Sequence, residues 1–280
     1  MSFDQVEGYF LDSCVLLPQS SESKTEACST FLREASSKCI LSSSVKTEAI
    51  DLIDRAYNAV INDFRQNLKP YLEQNGITRL SNRHGRILAT YFYERREAFK
   101  LTQPQRSSVR NEFMGIIENF VASQLHSLKG GSTVKYDAFL AFLIMQLSLA
   151  EHRLKAPFMG IKTEEIVPNE SVTSMAELNA LIANPHDIKH LASALKYQYE
   201  KNKWVIFVTN DESEILSKQP DLLSIFGLQC SKPEWALDYY SDLTRLKAPL
   251  EHLREKQDYS EGQKAFVKTL ENTMNVKIIS

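Results

Sequence analysis

The feature that most constrains this sequence is the unbroken apolar run at residues 204–208, which lies between two segments of helical pattern. A strand with no polar face is buried on both sides, which is typical of parallel sheets covered by helices. Shorter apolar runs at 9–17 and 39–41 also alternate with helical patterns and predict two further strands. This order of elements predicts an α/β fold with a parallel sheet flanked by helices.

The helical patterns also suggest how the chain is divided. Residues 65–181 show almost only helical spacing, and residues 241–280 predict polar helices. We therefore expect a discontinuous α/β domain formed by residues 1–64 and 182–240. A long all-helical insertion at 65–181 and a helical C-terminal tail at 241–280 would complete the chain.

Two helix starts can be placed from capping residues. The serines at 42, 43 and 44 favour a helix start, with Glu48 in or near the first turn. Asn184 and Pro185 suit the N-cap and the first helical position, which puts Asp187 in the first turn.

Composition argues against several classes of protein. The four cysteines have no CxxC spacing, so we expect free thiols rather than a zinc knuckle or disulfides. The N-terminus lacks the basic start and apolar core of a signal peptide. The longest apolar stretch, at 138–149, is too short to span a bilayer and predicts a buried helix. A cytoplasmic protein without a membrane partner is expected.

Four acids are expected to meet at one edge of the predicted sheet. Asp12 and Asp211 lie at the ends of predicted strands, and Glu48 and Asp187 lie in the first turns of predicted helices. In a parallel α/β sheet these positions share the edge where ligands bind. Crowded carboxylates repel one another unless a cation neutralises them, and Mg²⁺ and Mn²⁺ prefer oxygen ligands. The set predicts a divalent-metal site suited to phosphodiester hydrolysis.

Taken singly, most of these acids also have a structural explanation. Glu48 and Asp187 could complement helix dipoles, and Asp211 could be a turn residue. Asp12, inside an apolar run, has no such explanation. The coincidence of all four at one edge favours the metal site.

The acidic segments resemble the motifs of the PIN-domain nucleases. Asp12 lies in YFLDSCVLLP, Glu48 in SSSVKTEAIDLI, Asp187 in PHDIKHLASA, and Thr209 and Asp211 in VIFVTNDESEI. The segment FGLQCSKPEWAL resembles the closing strand of that family. The resemblance covers residues 5–60 and 182–238, less than half of the chain.

The resemblance implies a PIN-like fold and a metal-dependent endoribonuclease that hydrolyses single-stranded RNA to 5′-phosphate and 3′-hydroxyl ends. It implies Mg²⁺ or Mn²⁺ bound by Asp12, Glu48, Asp187 and Asp211, with Thr209 orienting Asp211 or a water molecule. The long insertion departs from compact family members and argues against a plain toxin of a toxin–antitoxin pair. A homodimer, an antitoxin and another protein partner remain open alternatives.

Two other functions compete with the ribonuclease. His186 and Asp187 suggest an HD-type metal phosphohydrolase, although that site would leave Asp12 and Asp211 unused. His190 is expected at the surface or partly buried. The second competitor is a catalytically inactive PIN-like binding or scaffold protein. The upstream histidines that could complete an HD-type site are His84, His126 and His152.

A basic segment stands out in a chain whose net charge is −2. Residues 65–110 contain ten Lys or Arg against three Glu, which indicates a polyanionic partner or a solvated helical face. We predict that one helical face lies beside the acids and binds the RNA backbone without reading its sequence. The residues assigned to it are Arg79, Arg83, Arg86, Arg95 and Arg96.

Overall fold

The computed structural model of the protein describes residues 8–17, 21–95, 105–126, 128, 132–166, 174–201, 203 and 205–237. They form two compact units: the described residues up to Glu48 and from Gly160 onward make one, and those from Ala49 to Met159 make the other. The unit boundaries therefore differ from the insertion boundaries placed at 64/65 and 181/182. The predicted tail at 241–280 and Arg96 lie outside the described residues.

A five-stranded parallel sheet forms the centre of the first unit. The described strands are β1 (Gly8–Leu11), β2 (Cys39–Ser42), β3 (Arg79–Leu80), β4 (Val134–Lys135), β5 (Lys162–Glu164), β6 (Val205–Val208) and β7 (Gln229–Ser231). Five of these form the sheet in the order β5-β2-β1-β6-β7, and every pair of neighbours is parallel. The predicted α/β fold with a parallel sheet is confirmed.

Helices flank this sheet and make up most of the second unit. In chain order the described α-helices are α1 (Ser13–Leu16), α2 (Glu22–Ala35), α3 (Ser43–Asp63), α4 (Lys69–Gln74), α5 (Asn82–Arg95), α6 (Gln105–His126), α7 (Tyr136–Gly160), α8 (Ser174–Leu181), α9 (Pro185–Lys201), α10 (Gln219–Phe226) and α11 (Pro233–Ala236).

Both faces of the sheet are buried because successive strand residues point to opposite sides. On β1, Tyr9 meets Phe31 of α2 edge-to-face, with ring centroids 5.1 Å apart. The next residue, Phe10, faces Tyr197 of α9 at 6.0 Å and stacks on Phe207 of β6 at 6.4 Å. All five side chains are buried, and each contributes roughly 1.5–3 kcal/mol relative to an exposed ring. This two-sided burial explains the unbroken apolar runs.

The predicted helix starts are confirmed, but Glu48 lies deeper in its helix than expected. The Ser42 hydroxyl accepts a hydrogen bond from Val45 N at 3.2 Å, and α3 begins at the next residue, Ser43. No acidic residue therefore falls in the first turn of α3, and Glu48 lies in the second. At α9, the Asn184 side chain accepts a hydrogen bond from His186 N at 3.1 Å.

The apolar run at 9–17 forms a shorter strand than predicted. β1 ends at Leu11, and the rest of the run turns into the short helix α1 with Asp12 at its N-cap. Asp12 N still donates to Val208 O at 3.0 Å, so the chain leaves the sheet immediately after the acid. The helical turn keeps Val15 and Leu16 buried without extending the strand.

The prediction of an all-helical insertion is wrong in two places. Strands β3 and β4 pair with each other in an antiparallel ladder, and β5 pairs with β2 at the edge of the main sheet. These strands have two or three residues each, and the β5 residues Lys-Thr-Glu are mostly exposed. They therefore carry no apolar periodicity that could have revealed them.

The second unit has its own aromatic core and, among its described residues, a buried charge at Asp63. Phe64 packs against Phe92 with ring centroids 5.5 Å apart. The neighbouring carboxylate of Asp63 is 4% exposed and accepts hydrogen bonds from Tyr91 Oη and Arg95 Nε, both at 2.9 Å. Burial of this carboxylate is tolerated because a guanidinium group and a hydroxyl replace its water.

Helix α7 is only half buried, contrary to the prediction for the stretch at 138–149. Phe139, Leu140, Leu143 and Leu147 are buried, whereas other apolar residues on the same helix face solvent. The exposed ones are Phe142, Met145, Leu149 and Met159. Across the part of the chain that the structure describes, no helix combines the length and apolar character needed to cross a membrane.

Candidate metal centre

The predicted acids of the first unit lie at the carboxyl ends of the strands or near helix starts. Asp12 follows β1 directly, and Asp211 follows β6 by three residues. Asp187 lies in the first turn of α9, and Glu48 lies on α3, which begins where β2 ends. Parallel strands bring these positions to one edge of the sheet.

Asp187 and Asp211 come together with a third carboxylate, that of Glu214. Each of the three offers an oxygen atom, and these atoms all lie within 4.8 Å of one another. Among the described residues, this is the group of carboxylates, histidines and cysteines with the geometry to hold a metal ion. It contains no histidine, so it does not provide the ligands that an HD-type phosphohydrolase needs.

Protein donors hold one oxygen of each carboxylate in this cluster. Asn184 Nδ2 donates to Asp187 Oδ2 at 2.8 Å, and Glu214 Oε1 accepts from Asn184 N at 2.7 Å and from Ala183 N at 2.5 Å. Asp211 Oδ1 accepts hydrogen bonds from Glu214 N at 3.0 Å and from the backbone N–H and the hydroxyl group of Ser213. No donor in the described ranges bonds the second oxygen of any of the three. The cluster is therefore preorganised, with one oxygen per residue available to a cation.

The cluster carries more negative charge than its surroundings neutralise. Burial raises the pKa of Asp187 to about 7, and the charges of Asp12, Asp211 and Glu214 act in the same direction. The side chain is only 3% exposed, so water screens this repulsion poorly. A bound cation would relieve it, and this observation supports the fit of a metal ion to these residues.

Asp12 is buried beside the cluster and is held in its ionised form. Thr209 Oγ1 donates to Asp12 Oδ2 at 2.7 Å, and Cys14 Sγ donates to the same oxygen at 3.0 Å. Burial alone would raise the pKa of Asp12, but the facing His190 ring and these two donors outweigh it and lower the pKa. Thr209 Oγ1 also accepts from Asp211 N at 3.0 Å, so one hydroxyl connects the ends of β1 and β6.

Glu48 is joined to Asp12 through a histidine rather than to the three-carboxylate cluster. His190 Nε2 lies 3.3 Å from Glu48 Oε2, and His190 Nδ1 lies 3.5 Å from Asp12 Oδ1. Burial would lower the pKa of His190, but the two carboxylates outweigh it and raise the pKa to about 9. His186 Nδ1 also faces Glu48 Oε2, at 3.1 Å.

Sequence reasoning missed Glu214 and misplaced His190. His190 is 3% exposed, so the expectation of a surface or partly buried histidine is wrong. Its position three residues after Asp187 puts both side chains on one face of α9, and that spacing was the available signal. Glu214 follows Asp211 by the same interval in a turn capped by Asp211 Oδ1, a spacing that also predicts proximity.

The predicted basic face is smaller than expected. Arg79 lies in β3, whereas Arg83 and Arg86 lie on α5, so the expectation that all three share a helical face is wrong. The helix begins only after Ser81, because the chain first pairs as a strand. Arg95 is engaged with the buried Asp63, so Arg83 and Arg86 are the arginines that remain exposed on the described part of α5.

The metal-free protein is expected to lose stability as pH rises from about 4 to about 9. The pKa of Asp187 is raised from its ordinary value of 3.8 to about 7. The protonated carboxyl therefore stabilises the folded state fully below pH 3.8, and this stabilisation is lost as the pH passes 7. The protonated His190 ring stabilises the folded state fully below its ordinary pKa of 6.5, and this stabilisation is lost as the pH passes about 9.

Thermal unfolding in EDTA across this pH range measures the effect. Asp187→Asn should remove the lower part of the decline, between about pH 4 and 7, and keep the upper part. An identical pH profile for wild type and variant would show that Asp187 does not titrate in this way.

No protein-family model, no curated protein and no solved structure matches this chain.

Proposed function

We propose that this chain is a divalent-metal-dependent ribonuclease that hydrolyses phosphodiester bonds of single-stranded RNA. The observation that carries the proposal is the preorganised cluster of Asp187, Asp211 and Glu214 at the carboxyl edge of a parallel sheet. Ligand sites of parallel α/β proteins lie at this edge. The choice of RNA, the PIN-like character of the fold and the 5′-phosphate product come from the resemblance of the motifs.

The donor set favours a hard cation. All three candidate ligands are carboxylate oxygens, which suit Mg²⁺ or Mn²⁺ better than softer metals. A cation held there would polarise a water molecule and offset negative charge on the phosphate. The other residues of the site keep this set in place, since Asn184 holds both Asp187 and Glu214.

Asp12 and Thr209 have supporting roles in this proposal. Asp12 stays ionised next to Asp187 and adds to the field that attracts a cation. Thr209 fixes both the Asp12 carboxylate and the backbone of Asp211. The sequence predicts that Thr209 orients Asp211 or a water molecule, and the hydrogen bond from Asp211 N to Thr209 Oγ1 supports the first of these roles.

The function is tested by incubating the purified chain with end-labelled single-stranded RNA and Mn²⁺. Cleavage that stops on addition of EDTA, with 5′-phosphate ends on the products, is the expected result. A DNA strand of the same sequence serves as the control for substrate class. EDTA-resistant cleavage, or intact RNA at saturating Mn²⁺, would refute the proposal.

A non-catalytic scaffold is the second candidate, and one observation favours it. The His190 ring faces both Asp12 and Glu48, so these two acids share one internal counter-charge without a metal. Mn²⁺ titration calorimetry on wild type and Asp12→Asn separates the candidates. A scaffold binds no Mn²⁺ in either form, whereas the ribonuclease binds Mn²⁺ more weakly once the Asp12 charge is removed.

Arg83 and Arg86 are proposed to contact the RNA backbone. Replacing both with Glu should weaken RNA binding in EDTA and reduce the slope of log affinity against log salt by roughly 0.7 per lost phosphate contact. The charge-preserving variant Arg83→Lys, Arg86→Lys should keep the wild-type slope. Equal affinities and slopes for all three proteins would mean that this part of α5 is a solvated surface.

A further inference from the structure

The side chain of His190 fills the space between two of the acids that the sequence predicted as metal ligands. Its two ring nitrogens face different carboxylates: Nε2 lies 3.3 Å from Glu48 Oε2, and Nδ1 lies 3.5 Å from Asp12 Oδ1. The ring is 3% exposed, and Nδ1 makes no hydrogen bond of good geometry within the described residues. A buried polar atom thus points into the acidic site.

Oxygen ligands of one Mg²⁺ or Mn²⁺ ion lie close together, because each metal–oxygen bond is only about 2.0–2.2 Å long. With the imidazole ring between them, Asp12 and Glu48 cannot share an ion. In the cluster of Asp187, Asp211 and Glu214, by contrast, one ligand oxygen of each residue lies within 4.8 Å of the other two, and no histidine belongs to the group. The acids at this edge of the sheet therefore form two groups. Asp187, Asp211 and Glu214 can accept an ion, whereas the space between Asp12 and Glu48 is already filled by His190.

The surroundings hold the ring in this position. Asp12 is fixed on one side by Thr209 and Cys14, and Glu48 is held on the other side by His186. His190 itself lies in the second turn of α9, inside the helix, where the backbone is constrained by helical hydrogen bonds. Moving the ring out would leave the buried Asp12 carboxylate facing Glu48 with no positive charge between them, which is unfavourable.

We propose that His190 takes the place of a second metal ion, so that the site accepts a single divalent cation at Asp187, Asp211 and Glu214. This inference rests on the proposed function only for the existence of the metal site. It makes His190 a positioning residue for Asp12 and Glu48. It also changes the role of these two acids, which hold the histidine instead of the metal.

The number of Mn²⁺ ions bound per chain tests the inference. Titration calorimetry, with free Mn²⁺ followed by electron paramagnetic resonance, should give one ion for the wild type and two for His190→Ala. The second ion should disappear again in the double variant His190→Ala, Asp12→Asn. His186→Ala is the matched control: it removes a histidine one turn away that contacts only Glu48 at this site, and it should still bind one ion.

Two ions in the wild type, or one ion in a folded His190→Ala variant, would overturn the inference. If His190→Ala does not fold, the wild-type count decides alone. Two ions together with RNA cleavage would leave the proposed function standing without the inference. One ion in the wild type and two in His190→Ala, without cleavage, would leave the inference standing without the function. A wild-type count of zero would remove both.

Discussion

Asp187→Asn is expected to lower metal-dependent RNA cleavage by at least about 100-fold. The substitution removes a ligand oxygen from the cluster and leaves the neutral amide, which binds hard cations more weakly. It also removes a carboxyl group whose pKa is raised by burial and, to a lesser extent, by the neighbouring negative charges. The metal-free variant should therefore be at least as stable as the wild type at about pH 8.

The matched control for this variant is Asp221→Asn. Asp221 also lies in the first turn of a helix, α10, directly after a proline, but it is exposed and belongs to no carboxylate cluster among the described residues. The Asp221→Asn substitution should change neither RNA cleavage nor metal binding. Thermal unfolding with and without Mn²⁺ gives an independent readout, since only the Asp187 variant should lose the stabilisation by Mn²⁺. Equal activities for the two variants would contradict the assignment of Asp187.

Thr209→Val is expected to destabilise the first unit by about 2–3 kcal/mol. The side chain is fully buried and donates the 2.7 Å hydrogen bond to Asp12 Oδ2. Valine has nearly the same shape but no hydroxyl, so it leaves a buried carboxylate short of one donor and Asp211 N without its acceptor.

Thr209→Ser keeps the hydroxyl and serves as the control. Urea unfolding should give the serine variant a clearly larger free energy of unfolding than the valine variant. The serine variant should still be less stable than the wild type, because it lacks the buried methyl group. A Thr209→Val protein within about 0.5 kcal/mol of wild type would mean that Cys14 or water satisfies Asp12 unaided.

The elements that could be predicted from sequence are those with strong local signals. β6 has an unbroken apolar run, and α9 has a capping Asn184 followed by Pro185. β2 lies between a helix and a serine cluster, and its position matched the prediction. Periodicity and capping are properties of neighbouring residues, so one sequence suffices to read them.

The parts that escaped prediction depend on contacts between distant segments. β5 is short and polar and becomes a strand only because β2 offers an unpaired edge. The route of the chain at Arg79 depends likewise on pairing with Lys135 of β4, 56 residues away. Such tertiary pairing overrides weak local preferences.

The sequence predicted where the candidate site lies on the sheet, but not which side chains group together there. The sheet edge was inferred from the ends of the strands, and Asp187 and Asp211 do meet there. The third carboxylate, Glu214, and the burial of His190 depend on how α9 packs beside β1 and the turn after β6. That packing determines which acids share a cation and which are bridged by a histidine.

Anomalous diffraction from crystals grown with Mn²⁺ tests the central claim most directly, because it locates the ion among the carboxylates. The predicted result is an anomalous peak at about 2.2 Å from oxygens of Asp187, Asp211 and Glu214. Crystals of Asp211→Asn grown in the same way should lose the peak. Wild-type crystals at saturating Mn²⁺ with no peak at these three residues would contradict the account.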